Sequence, residues 1–97
     1  MTPKIATRAP AAAGADVTAN VMTALAAILT DAHISYASKN DDLARSILIT
    51  SGLYSAEIER LRRRAIRRDA ARSIELSNLP SILQVGRRLV AARRAEG

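Results

Sequence analysis

The chain has 97 residues, a formal charge of +6 from 15 Lys and Arg against nine Asp and Glu, and no Cys, Trp or Phe. That length makes one small domain with a thin core, and the missing cysteine excludes disulfides, zinc–thiolate sites and thiol nucleophiles. The two tyrosines are the only aromatic residues, so a core of Leu, Ile, Val and Ala is expected to be completed by a second copy, as a homodimer.

The expected fold class is all-α: a small four-helix domain over residues 15–97, preceded by an N-terminal arm over residues 1–14. The arm holds Pro3, Pro10 and Gly14, shows no apolar period and reads as disordered. Its Lys4 and Arg8 have no apolar run beside them, so a secretory signal is not expected. No uninterrupted run of 18 apolar residues occurs, so no membrane-spanning helix is expected, and a cytoplasmic location is.

The first helix is expected to start at an Asp16 N-cap and end near Ser38. Val17, Val21, Leu25, Ile28, Leu29, Ala32 and Tyr36 fall on one broad face at 100° per residue. The reverse face, with Ala19, Thr23, Ala26, Ala27 and Ile34, is small and barely polar. It is a candidate oligomer or partner interface.

Ser38 to Asp42 reads as a break, with Asn40 as a cap and Asp41 and Asp42 suiting the dipole of a new helix. That short second helix should run from Asp41 to about Ser51 and turn Leu43, Ile47 and Leu48 inward. Gly52 is placed to end it as a left-handed cap, and Ser55 to cap the next helix.

The third helix is the most charged stretch of the chain. Residues 57–72 carry seven Arg and three acids, an excess of four positive charges. Tyr54, Ile58, Leu61 and Ala65 form its inner stripe, with Leu76 in line should the helix run that far, while Arg60, Arg63, Arg64 and Arg67 gather opposite, with Arg68 beside them. The helix is expected to weaken between Ser73 and Asn78. Pro80 then opens a last helix over about Leu79–Arg94, whose buried face is Leu79, Ile82, Val85, Gly86, Leu89 and Val90. A glycine within that stripe implies close approach of another backbone.

The chemistry of these residues narrows the function classes. His33 stands alone on the first helix, the acids are scattered, and no phosphate-binding glycine loop or hydrolase motif occurs. No enzyme activity, cofactor, metal site or small-molecule substrate is expected. Thirteen of the 15 basic residues are arginine. That bias fits a GC-rich genome, and it equally fits a polyanion partner, because the guanidinium fork matches phosphate. No aromatic residue interleaves the arginines, which speaks against base stacking on a single strand.

Residues 44–63 resemble the twenty-residue core of DNA-binding helix-turn-helix proteins. Gly52 stands at the turn position, and Ile47, Leu53, Ile58 and Leu61 at apolar positions. Leu48 is bulkier than the motif's fifth position, and Ser51 more polar than its eighth. The resemblance implies that the second helix of the motif enters the major groove, with Tyr54, Ser55, Ala56, Glu57, Arg60 and Arg63 facing bases or backbone.

Two functions remain open on the residues alone. One is a non-enzymatic, regulatory nucleic-acid-binding protein that uses Arg60, Arg63, Arg64, Arg67 and Arg68 on the phosphates of DNA or RNA. The other is a protein–protein interaction module, an adaptor, inhibitor or assembly subunit, whose arginines meet an acidic protein partner.

Overall fold

A computed structural model of the chain describes the backbone of residues 2–96 and the side chains of residues 17–96. It is all-helical, with no strand among the described residues. The elements are α1 (Thr2–Ala37), α2 (Asp42–Leu53), α3 (Ser55–Arg68), a single turn α4 (Arg72–Glu75) and α5 (Leu79–Glu96).

The first helix begins at Thr2, not at Asp16. Once residues 17–37 are docked as helix, each alanine before them adds a hydrogen bond without a new nucleation step. Lys4 and Arg8 of the expected arm lie outside the described side chains.

The face that α1 buries is rotated from the expected one. Ala19, Met22, Ala26, Leu29 and Ala32 are buried, whereas Val17, Val21 and Ile28 are each more than half exposed. The small residues win because α2 and α3 cross α1 closely, and alanines let them approach. By length and composition Val17–Ala37 could cross a membrane, and in this fold that same segment supplies one wall of the core.

The break before α2 is where the sequence places it, but its details differ. Ser38, Lys39 and Asn40 close α1 with bonds from Ser38 N to Ile34 O (3.0 Å) and Lys39 N to Tyr36 O (2.9 Å). Lys39 takes φ 61°, the left-handed conformation, at a position where glycine would be unstrained. Asp41, not Asn40, is the N-cap, accepting from Leu43 N at 2.9 Å. Leu43 then faces solvent, 65% exposed, and Leu48 fills the core instead.

Gly52 does not turn the chain. It lies inside α2, is buried, and no glycine among the described residues has a positive φ. Its missing side chain serves a helix crossing. A Cβ on Gly52 would overlap the backbone C and O of Gly86 and stand 2.8 Å from Arg87 N; one on Gly86 would meet Leu48 O and stand 2.8 Å from Ser51 Oγ. The close approach expected at Gly86 is thus made by α2. Ser51, whose hydroxyl donates to Leu48 O at 2.7 Å, is the third small residue at the same crossing.

Around that crossing the core is filled by Leu48, Leu76, Leu79 and Leu83, with Met22 and Leu29 from α1, all essentially without solvent contact. The buried face of α5 is Leu79, Ile82, Leu83, Gly86, Leu89 and Val90. Leu83 joins the expected set, while Val85 is only partly buried.

Candidate nucleic-acid interface

Only Tyr54 separates α2 from α3, where a helix-turn-helix uses a turn of about three to four residues. Ser55 is the first residue of α3 and is buried, with no side-chain cap bond made at that end. The helix ends at Arg68, earlier than the sequence suggests. Asp69 leaves it in an extended conformation, φ −147° and ψ 99°, and its carboxylate accepts from Ala71 N at 3.1 Å. The residues from Asp41 to Glu75 are therefore not one rod but three helical pieces.

The inner side of α3, with Ile58 and Ala65 buried and Leu61 and Ile66 partly so, packs mainly against α1. Its outer side is free. Six arginines stand between residues 60 and 68, within about 12 Å of helix at 1.5 Å per residue.

Two of them are tied to glutamates one turn earlier. Arg60 pairs with Glu57 at the surface, and Arg62 Nε bonds Glu59 Oε1 at 2.9 Å in a largely covered position. Asp69, the remaining acid of the stretch, faces Arg72, with 3.5 Å between Asp69 Oδ2 and Arg72 Nε. Among the described residues no ion pair reaches Arg63, Arg64, Arg67 or Arg68, and all four are exposed. This is the excess of four charges that counting suggested, gathered on one surface. Arg68 also sits in the last turn, where a cation suits the helix dipole,.

The residues expected to face bases are not on that surface together. Ser55 is inside the core, and Glu57 is engaged by Arg60. Tyr54 is 61% exposed but borders an apolar groove of about 360 Å³ on the inner side of α3. Leu25 and Leu29 of α1, Leu43 and Ile47 of α2, and Ile58 of α3 line the same groove, and no charged residue does. Composition hid this groove, because Leu43 and Ile47 sit where a core was expected.

The candidate oligomer interface is divided. Ala19 and Ala26 are covered by the chain's own core, while Ala27 and Ile34 remain exposed. Thr23 has an intramolecular role: its hydroxyl donates to Ala19 O at 3.0 Å and accepts from Arg72 Nη1 at 3.2 Å.

Arg72 is a residue whose role the sequence did not reveal. Its guanidinium also donates to Asn20 Oδ1 at 3.1 Å and pairs with Glu75 Oε2 at 3.1 Å, so one side chain holds α4 against α1. The bonds to Thr23 and Asn20 join residues about fifty apart, and no local pattern announces them. Replacing Arg72 by Ala should cost about 1–2 kcal/mol, given two lost long-range bonds at a partly solvated site. Thermal denaturation should show a lowered midpoint, and hydrogen exchange should speed selectively in residues 69–76; a variant as stable and as protected as the parent would refute the clamp.

No known protein family, no curated protein and no solved structure matches the chain.

Proposed function

We propose that this is a small, basic, non-enzymatic regulatory protein that binds nucleic acid through arginine–phosphate contacts made by α3. The observation that supports the reading is the unpaired, exposed set Arg63, Arg64, Arg67 and Arg68, left free while the neighbouring acids are engaged by other arginines. Four uncompensated guanidinium groups on so short a length repel one another, and phosphate groups, which match the planar guanidinium fork, relieve this repulsion. Arg60 lies on the same face, with its charge answered by Glu57.

The test is fluorescence anisotropy against labelled duplexes over a salt series. Replacing Arg63, Arg64, Arg67 and Arg68 together by Glu should lower affinity by at least about 10³-fold and leave helix content unchanged, since none of the four contributes to the core. Unchanged affinity would end this reading.

A second reading rests on the uncharged groove between α1, α2 and α3, whose lining includes the exposed Leu43 and Tyr54 in a chain otherwise rich in charge. Interface centres have that depletion of charge. In it the protein is an interaction module, and a second copy or a protein partner covers the groove, an acidic partner also meeting the arginines of α3. Absence of nucleic-acid binding even at low salt would leave this reading in place.

A further inference from the structure

The arginines on the outer side of α3, the four free ones and the paired Arg60, do not form a line. At 3.6 residues per turn, Arg63, Arg67, Arg60, Arg64 and Arg68 follow one another around the helix over an arc of about 140°. A flat anionic surface, or a single phosphate row, meets the middle of such an arc and leaves both flanks unused. A concave ligand that wraps the helix meets all of it.

Taking the nucleic-acid reading of α3 as its basis, we infer that the ligand is B-form duplex DNA, held by phosphates on both edges of the major groove and bound without regard to sequence. The major groove of B-DNA is about 12 Å wide and accepts one α-helix, which is about 10–12 Å across with its side chains. Arg63 on one flank and Arg64 and Arg68 on the other then reach opposite strands. The major groove of A-form RNA is too deep and narrow to admit the helix. α3 has the exposure this requires, since its packing onto the rest of the fold uses only the side carrying Ser55, Ile58 and Ala65.

Sequence blindness follows from where the base-reading candidates lie. Reading a base edge needs a free donor or acceptor directed at the groove floor. Ser55 is buried, Glu57 is held by Arg60, and Tyr54 borders the apolar groove on the other side of α3. Arg67 is the one unpaired side chain at the centre of the arc. Engaged with a phosphate it reads no base, and a single arginine does not define a site. A single strand is a poor ligand as well, because no aromatic side chain lies among the arginines to stack a base.

The experiment compares the full chain on four labelled probes at one salt concentration: two DNA duplexes of unrelated sequence, an RNA duplex matching one of them, and the corresponding DNA single strand. The expected result is that the two DNA duplexes bind within about tenfold of each other, far from the roughly 10³-fold ratio that marks specific recognition. Both should bind at least about tenfold more tightly than the RNA duplex and the single strand. Equal affinity for RNA duplex or single strand overturns the assignment to B-DNA and leaves nucleic-acid binding standing. More than about tenfold discrimination between the two DNA sequences overturns the sequence-blind mode. Absence of binding to every probe removes the underlying reading as well.

Discussion

Replacing Gly52 or Gly86 by Ala should destabilise the protein by about 2–4 kcal/mol, lowering the melting midpoint by roughly 10–25 °C in a domain of this size. Alanine is the better helix former, and at an exposed site either change would stabilise by about 1 kcal/mol. Here the sign is reversed by packing. A Cβ on Gly52 is placed against the backbone of Gly86, and one on Gly86 against the backbone of Leu48. Backbone cannot step aside as a side-chain tip does, so α2 and α5 must move apart. That opening loosens Leu48 and Leu83, both fully buried. The whole stability of such a domain is only about 5–15 kcal/mol.

The double variant carries the sharper information. The first methyl already separates the helices, so the second should cost less than it does alone, giving a coupling of about 1 kcal/mol or more between the two sites. Urea melts of the two single variants and the double variant measure this directly. Single variants as stable as the parent, or costs that simply add, would show that the two glycines do not share one crossing.

The same crossing explains what the sequence allowed and what it concealed. Helix periodicity placed α2 and α5 within a few residues, because their apolar residues recur at the helical period and Pro80 marks the start of the last helix. It also identified Gly86 as a point of close approach. It could not say which helix approached, since that depends on tertiary pairing. A glycine at the C-terminal end of a short helix has the same local signature whether it turns the chain or admits a neighbour. Gly52 was therefore expected as a turn, and the small Ser51 and bulky Leu48 looked like flaws in a motif. Against α5 they fit, one at the crossing and one in the core.

On α1 the limit was different. Alanine satisfies either face of a helix, so Ala19 and Ala26 carried no directional signal while Val17, Val21 and Ile28 carried a misleading one. The arginine face of α3 was legible because charge separates cleanly from Ile58 and Ala65 around one short helix. Which arginines stay unpaired was not legible. Arg62 and Arg63 follow Glu59 by three and four residues, spacings that both bring a side chain within reach on a helix, and the pair that forms is Arg62–Glu59.

That distinction leads to the second large effect, which concerns salt. If Arg63, Arg64, Arg67 and Arg68 each engage a phosphate, the slope of log affinity against log salt should be about −3.6, at roughly −0.9 per contact. Affinity then falls about 150-fold between about 50 and 200 mM salt. Changing any one of the four to Gln should bring the slope to about −2.7 and the fall to about 40-fold. Arg63 and Arg68, on opposite flanks, should behave alike. Arg88→Gln removes the same formal charge from an exposed position on another helix, α5. It should leave the slope unchanged. Arg62→Gln should also leave it unchanged, because Arg62 is held by Glu59 and largely covered, while weakening binding slightly through the glutamate it releases. These controls separate contact from attraction. A diffuse response to net charge would give Arg62, Arg88 and the four free arginines the same slope and the same loss, whereas contact at α3 confines the loss of slope to Arg63, Arg64, Arg67 and Arg68.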